Sequence, residues 1–237
     1  MASGEAEGNS VVVITGASMG IGKALAMRWA KEGARMIISA RDRVELEKVA
    51  REATSAGGAC IAEAGDVTKE EDRVRLIDRA KSEFGRIDVL VNNAGRGYYA
   101  ATADIDMQAL TDLFALNVLA PLRLAQLAMD SLKESRGMIV MMSSIAGVAA
   151  VPNMGAYAAT KFALEGLSMS MRGELAESGV GVLVVRPGPV DTPFRENSIA
   201  TKTEAGVRPK GTRAQTPEAV ADMTVRAVTS RSSVVET

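Results

Sequence analysis

Short runs of apolar, mostly β-branched residues alternate along the chain with longer segments whose apolar residues recur at helical spacing. The short runs predict strands and the longer segments predict amphipathic helices. The predicted strands are Val11–Thr15, Arg35–Ser39, Ala59–Ala64, Ile87–Val91, Met138–Met142, Val180–Val185 and Ser232–Val235. The predicted helices are Ile21–Glu32, Val44–Ala56, Thr68–Phe84, Ile105–Lys133, Gly155–Glu177 and Thr216–Ser230.

The predicted strands are apolar throughout, which indicates burial on both faces. Alternating with helices, they predict an α/β fold: a single-domain Rossmann architecture with a doubly wound parallel sheet of about seven strands and helices on both faces. We expect one domain over residues 11–237 after a flexible tail over 1–10. The polar stretch 188–215 is too long for an ordinary connection, so we interpret it as a flap over a substrate site.

Composition removes several function classes. The formal charge is −1 and the charges are spread along the chain, so we expect no nucleic-acid or membrane partner. One cysteine and no histidine exclude an internal disulfide, the Ser-His-Asp and Cys-His nucleophile systems and the commonest metal ligand. We see neither a signal peptide nor an apolar stretch of about 18 residues, and we expect a cytoplasmic protein without a metal site.

Three glycines, Gly16, Gly20 and Gly22, lie where the first predicted strand turns into the first helix. Glycine allows a tight turn, and the free N–H groups of a helix N-terminus bind phosphate. The context therefore predicts a dinucleotide site that includes Ser18, Met19 and Ile21. A structural glycine turn without a ligand is the alternative.

The second predicted strand ends in Ser39-Ala40-Arg41. Sites that hold NAD place an acid on the ribose about 20 residues beyond the glycines, whereas arginine pairs with a 2′-phosphate. We therefore favour NADP(H), with NAD(H) possible because Asp42 follows directly. A solvated surface position for Arg41 is the third interpretation.

Two further segments follow predicted strands. Asp66-Val67 is expected near the adenine, and Asn92-Asn93-Ala94-Gly95 beside the nicotinamide ribose, because ligands collect at the carboxyl ends of parallel strands. Either segment, taken alone, also fits a simple Asx turn.

Tyr157 and Lys161 lie one helical turn apart and share a helix face. A nearby cation stabilises a phenolate and lowers the tyrosine pKa, and Ser144 at the end of the fifth strand can orient a substrate oxygen. These groups suit proton transfer during hydride exchange at a carbonyl. Ordinary surface packing of an aromatic–lysine pair is the alternative.

Taken together, Thr15–Gly22 (TGxxxGxG), Asn92–Gly95 (NNAG), Tyr157–Lys161 (YxxxK) and Pro187-Gly188 resemble the short-chain dehydrogenase/reductase family, over about residues 11–235. The resemblance implies that Tyr157 donates or accepts the proton, that Lys161 holds the nicotinamide ribose, that Ser144 fixes the substrate oxygen and that Asn117 supports a relay water. It implies cofactor contacts from residues of these motifs and the segment after them: Gly16, Ser18, Met19, Gly20, Ile21, Arg41, Asp66, Val67, Asn93, Ala94, Gly95, Tyr157, Lys161, Pro187, Gly188, Val190 and Thr192. Met19 stands where NADP-preferring members often carry a basic residue.

Asn117 also lies four residues before Pro121, which has no N–H to donate to the Asn117 carbonyl. We expect that carbonyl to bind a relay water, or the segment to be an ordinary proline kink.

Substrate and assembly are less specified. We expect Tyr98, Tyr99, Met154 and Phe194 to form apolar walls beside Ser144. The family pairs the helices that correspond to 105–133 and 155–177, so a homodimer or homotetramer is expected, with an ordinary core face as the alternative. The implied function is an NAD(P)-dependent oxidoreductase acting on a carbonyl or secondary alcohol; the rival is a dinucleotide-binding regulatory protein without turnover.

Overall fold

A seven-stranded parallel sheet forms the centre of the protein. The computed structural model describes residues 10–200 and 214–237. The strands are β1 (Val11–Thr15), β2 (Arg35–Ala40), β3 (Ala59–Ala64), β4 (Val89–Asn92), β6 (Met138–Met142), β7 (Gly181–Arg186) and β9 (Val234–Glu236). Their order across the sheet is β3-β2-β1-β4-β6-β7-β9. The predicted parallel sheet of seven strands is confirmed.

Helices pack on both faces of this sheet. They are α1 (Gly20–Ala30), α2 (Arg43–Ser55), α3 (Glu70–Phe84), α4 (Met107–Phe114), α5 (Ala120–Ser135), α6 (Gly155–Leu175) and α7 (Pro217–Thr229). Strand β1 shows why both faces are covered: Val12 and Ile14 pack with Trp29 of α1 in one core, whereas Val13 packs in a second core with helices α3, α5 and α6. Helix α7 is capped by Thr216, whose side chain accepts from the Ala219 N–H.

The strand order places a crevice at the carboxyl end of β1. From β1 the chain runs outward through β2 to β3, then returns to β4 on the other side of β1. At such a switch point the loops after β1 and β4 diverge, which opens a site between them. Loops after β6 and β7 reach the same edge.

Two expectations about helices are corrected. Helix α3 begins at Glu70 rather than at Thr68, because the Thr68 hydroxyl and N–H both donate to Asp66 Oδ1, at 2.8 and 2.9 Å. The run Met107–Ser135 is long and apolar enough to span a bilayer, contrary to the sequence expectation. Within the protein, Leu124 and Leu132 of this run are buried in the core against the sheet.

That run is not uniformly α-helical. A π-helical turn, Ala115–Leu119, joins α4 to α5, and the Ala120 N–H donates to the carbonyl of Ala115, five residues back. The sequence predicted one helix through this point, with the Asn117 carbonyl on a relay water or, as the alternative, an ordinary proline kink. The wider turn accommodates Pro121 and places Asn117 at its middle, and such π-turns are frequent at functional sites.

The described start of the predicted flap pairs with the segment after β4, since strand β5 (Tyr98–Tyr99) runs parallel to β8 (Ile199–Ala200). The two ends of the flap meet where Val190 forms a bridge with Gln215. Residues 201–213 of the flap, and residues 1–9 of the tail expected over 1–10, lie outside the described residues.

Candidate active site

The glycine turn between β1 and α1 has the backbone geometry that its sequence requires. Gly16 and Gly20 have φ values of +66° and +55°, a region that favours glycine. A Cβ on Gly16 would lie 2.8 Å from the Ala94 Cα, and a Cβ on Gly22 would collide with the Gly16 carbonyl. The turn therefore excludes larger residues and lies directly against the loop after β4.

The N-terminus of α1 is open to an anion. Met19 precedes the helix and makes no side-chain cap, and the first turn of the helix carries no acidic residue. Free N–H groups and the helix dipole both favour a phosphate at such an end. The residues present therefore fit the pyrophosphate of a dinucleotide.

Asn93 and Thr15 hold the loops after β1 and β4 together. The Asn93 side-chain amide donates to the carbonyls of Thr15 and Gly16, at 2.9 and 3.1 Å. The Thr15 hydroxyl accepts from the N–H groups of Asn93 and Ala94, at 3.1 and 3.0 Å. The side chain of Asn93 thus supports the glycine turn from behind.

Arg41 and Asp42 border the cleft at the end of β2, but they differ in what they contact. The Asp42 carboxylate is the N-cap of α2 and accepts from the Glu45 N–H at 3.1 Å. Ser39 beside them is buried, and Arg41 is exposed. The acid is therefore engaged by the protein, and the arginine lies at the rim of the cleft.

Ser144, Tyr157 and Lys161 meet at the inner end of the same cleft. The Lys161 ammonium donates to the carbonyl of Met142 at 2.7 Å and lies 5.7 Å from the centre of the Tyr157 ring. Ser144 hydrogen-bonds Tyr157, and its hydroxyl also lies 3.4 Å from the Pro187 carbonyl. Tyr157 and Lys161 are 6% and 5% exposed, so both side chains are shielded from solvent.

Burial governs the charge states of this pair. Burial raises the pKa of the Tyr157 phenol above its usual value, opposed by the hydrogen bond from Ser144. Burial lowers the pKa of Lys161 to about 8, opposed by the Glu165 carboxylate. Desolvation of the phenol therefore outweighs the lowering of the Tyr157 pKa that a nearby cation was expected to cause. The phenol is held in its protonated form.

Asn117 lies beside this group but outside the cleft. Its Oδ1 accepts from the Arg96 N–H at 3.0 Å, and its Nδ2 donates to the Arg96 carbonyl at 2.9 Å and to the Thr160 hydroxyl at 3.1 Å. The amide thus joins the loop after β4 to α6. The relay water at the Asn117 backbone carbonyl stays a prediction.

The cleft has a volume of about 1690 Å³, against about 300–1,000 Å³ for common small-molecule pockets. The residues implied for cofactor, substrate and catalysis line it except Asn117 and Tyr98, and Gly22 and Asn92 of the two motifs also lie outside it. The Asp66-Val67 pair lies along one side, and Phe194 packs on Tyr157 with ring centres 5.8 Å apart. Thr192 approaches the glycine turn, since a Cβ on Gly20 would lie 3.3 Å from its methyl group.

The prediction that Tyr98 contacts substrate is wrong. Tyr98 is buried, and its hydroxyl accepts from the Asp106 N–H at 2.8 Å, just before α4. Successive side chains of a strand point to opposite sides. In β5 it is Tyr99 that faces the cleft.

Residues 10–203 match the short chain dehydrogenase family. The chain belongs to that family.

Curated relatives of this short-chain dehydrogenase are oxidoreductases. An uncharacterized oxidoreductase of Staphylococcus saprophyticus is 32% identical over 204 residues, which is 85% of each chain. An 11-beta-hydroxysteroid dehydrogenase A of Arachis hypogaea is 38% identical over 184 residues, or 77% of this chain and 52% of that protein. This chain thus matches about half of the plant enzyme.

Solved structures share the fold over nearly the whole chain. An alcohol dehydrogenase from the archaeon Thermococcus sibiricus, complexed with 5-hydroxy-NADP, has a TM-score of 0.86 and 28% identity, covering 97% of this chain and 96% of its own. A short-chain dehydrogenase from Sphingobium yanoikuyae, in complex with NADPH, has a TM-score of 0.84 and 30% identity, covering 96% and 87%.

This short-chain dehydrogenase has an apolar wall that sequence reasoning missed. Ile145 and Val151 line the cleft next to Ser144 and are 47% and 52% exposed. The signal was present: the run from Ile145 to Val151 is apolar but has neither strand nor helix spacing. An apolar loop that follows a serine at a strand end is a candidate substrate wall.

Proposed function

We propose that this chain is an NADP(H)-dependent oxidoreductase that interconverts an apolar ketone or aldehyde and the corresponding alcohol. The observation that carries the proposal is the convergence of Ser144, Tyr157 and Lys161 at the inner end of the cleft that begins at the glycine turn. When bound, a nicotinamide dinucleotide supplies or accepts the hydride.

The chain's own residues handle the oxygen and the proton. The Ser144 hydroxyl orients the substrate oxygen beside the Tyr157 hydroxyl. In reduction, Tyr157 donates its proton to that oxygen as negative charge develops there; in oxidation it takes the proton back. Lys161, whose pKa of about 8 keeps it mostly charged at pH 7, stabilises the phenolate that forms.

Preference for NADP(H) is supported by the contrast between Arg41 and Asp42. Arg41 lies at the rim of the cleft, whereas the Asp42 carboxylate accepts from the Glu45 N–H and caps α2. Guanidinium pairs with phosphate through two parallel bonds. Among similar solved structures, the two named above hold NADPH or an NADP derivative and another, from Burkholderia phymatum, holds NAD, so the proposed preference rests on the arginine.

An apolar substrate is supported by the wall around Tyr157. Ile145, Val151 and Phe194 are large apolar side chains with at least a third of their surface exposed, all of them in the cleft. Burying them against an apolar ligand contributes favourable free energy. Medium-sized alkyl or aryl ketones are the first substrates to test.

We also propose a homo-oligomer. Met107, Leu119, Phe162 and Met169 are exposed apolar residues on the run 107–135 and on α6, the helices that the family pairs. Light scattering should give at least a dimer, and Phe162→Glu with Met169→Glu should shift it toward the monomer. A monomeric wild type contradicts this part of the proposal.

The experiment is a titration of the purified protein with NADPH and with NADH, followed by nicotinamide fluorescence and then by addition of apolar and of carboxylate-bearing ketones. Tighter NADPH binding, with turnover of apolar ketones that Tyr157→Phe abolishes, is expected. Tight binding without turnover of any carbonyl would favour a regulatory protein. Binding of neither cofactor would refute the proposal.

A further inference from the structure

An ion pair with a buried carboxylate and a partly buried guanidinium lies behind the active site. The Arg186 guanidinium donates to both carboxylate oxygens of Glu165, from Nε at 2.9 Å and from Nη2 at 3.0 Å. Glu165 is 9% exposed, and neither residue lines the cleft. A two-bond pair of this kind fixes the relative orientation of its side chains.

Glu165 connects the pair to two parts of the active site. It follows Lys161 by one turn of α6, so both project from one side of the helix. It also packs against the short turn after Ser144, since a Cβ on Gly147 would lie 3.1 Å from the Glu165 Cγ. A displacement of the Glu165 side chain would therefore displace the turn over Ile145–Gly147.

Arg186 connects the pair to a third part of the active site, the loop after β7. It is the last residue of β7, and the carbonyl of the next residue, Pro187, accepts from the Ile145 N–H at 3.1 Å. The Ser144 hydroxyl lies 3.4 Å from the same carbonyl. The ion pair thus closes a ring that runs from α6, through the Ser144 turn, to the loop after β7.

Stability alone does not account for a buried ion pair here. Taking two charges out of water costs about as much as their attraction returns, and apolar residues of similar volume often serve as well. Two apolar side chains would not fix the relative orientation of α6 and the end of β7, whereas the two hydrogen bonds of the ion pair do.

We propose that Glu165 and Arg186 are positioning residues, which hold the Ser144 hydroxyl in register with the helix that carries Tyr157 and Lys161. The inference rests on the proposed oxidoreductase function for its kinetic consequence, but its structural consequence stands without it. Neither residue touches the reacting atoms.

The test compares Glu165→Gln and the double variant Glu165→Met/Arg186→Met with Glu236→Gln. The double variant leaves no unpaired buried charge, so it separates loss of positioning from misfolding. Glu236 accepts from the same guanidinium at 2.6 Å, but its side chain is 63% exposed. It therefore controls for loss of a charge beside Arg186.

The first measurement is amide hydrogen exchange of the cofactor-free protein over Ile145–Gly147. The Ile145, Ala146 and Gly147 N–H groups are bonded to Pro187 O, Ser144 Oγ and Ser144 O. We expect exchange about tenfold faster in both Glu165 variants, with the strands β1 and β4 unchanged and Glu236→Gln like the wild type.

The second measurement is steady-state kinetics with the best ketone. We expect kcat to fall about 10- to 100-fold in both Glu165 variants, with KM for NADPH within about threefold because the glycine turn is untouched. Unchanged exchange and unchanged kcat in the double variant would overturn the proposal. A wild type without turnover would refute the proposed function, and the exchange result would still decide the positioning role.

Discussion

The Lys161 ammonium donates to the backbone carbonyl of Met142 at 2.7 Å and not to the Tyr157 hydroxyl. Its position is thus set by the end of strand β6, two residues before Ser144. The serine and the lysine share one structural reference, and a shift of that strand end would move both. Because Tyr157 lies on the same helix as Lys161, this common reference also fixes the spacing between Tyr157 and Ser144.

Burial of the Lys161 ammonium has an energetic cost that can be measured. Lowering the Lys161 pKa from its ordinary 10.5 to about 8 corresponds to about 3 kcal/mol at neutral pH. Replacing Lys161 would also remove its hydrogen bond to the Met142 carbonyl, which lowers the free energy of unfolding by about 1 kcal/mol. We therefore expect Lys161→Met to raise the free energy of unfolding by about 2 kcal/mol at pH 7 while it abolishes turnover.

The pH dependence distinguishes this cause from simple packing. Between pH 8 and 10.5 the unfolded chain binds more protons at Lys161 than the folded protein, so this group makes stability rise with pH in that window. The difference between variant and wild type in urea unfolding should shrink from pH 7 to pH 10. A variant that is less stable than the wild type at pH 7 contradicts the assignment.

Cofactor preference should depend on Arg41 and not on Asp42. Arg41→Ala is expected to weaken NADPH binding about 10- to 100-fold, the value of a charged hydrogen bond, and to leave NADH binding unchanged. Asp42→Ala should cost about 1 kcal/mol of stability through the lost cap of α2, with both affinities kept. If Asp42→Ala weakens NADH binding instead, the acid contacts the ribose.

Two helical glycines should respond in opposite directions to alanine. A Cβ on Gly22 meets the Gly16 carbonyl, whereas a Cβ on Gly173 of α6 has no neighbour within 4 Å. Gly173→Ala should therefore stabilise the protein by about 1 kcal/mol, and Gly22→Ala should destabilise it and lose dinucleotide binding. Thermal unfolding of both variants, with and without NADPH, checks this. Equal effects would mean that the turn can relax.

Asn117 should be more important for folding than for proton transfer. Its side chain makes hydrogen bonds to Arg96 and Thr160, so Asn117→Leu leaves buried groups unpaired and should cost about 3 kcal/mol or more. Gln126→Leu, at an exposed position of α5, should change stability by at most about 0.5 kcal/mol. A stable Asn117→Leu protein with lost turnover would instead favour the relay role.

The sequence identified the strands and the motif residues because their signals are local. Continuous β-branched runs, glycines at a strand–helix junction and a one-turn Tyr157–Lys161 spacing need no knowledge of distant partners. The π-turn before Pro121 was missed because its geometry depends on the loop that Asn117 must reach. The position of Tyr98 was predicted wrongly because the pairing of β5 with β8 decides which of the two tyrosines faces the cleft. The paired residues are about a hundred positions apart in the sequence.

Trp29 is the only tryptophan in the chain, and α1 carries it into the core beneath the glycine turn. The protein therefore contains its own optical reporter. Its emission overlaps the absorption of a reduced nicotinamide, so energy transfer from this single donor would follow cofactor binding without a label. The same signal would report loss of the α1 layer during unfolding, and one cuvette could separate loss of binding from loss of structure in each variant above.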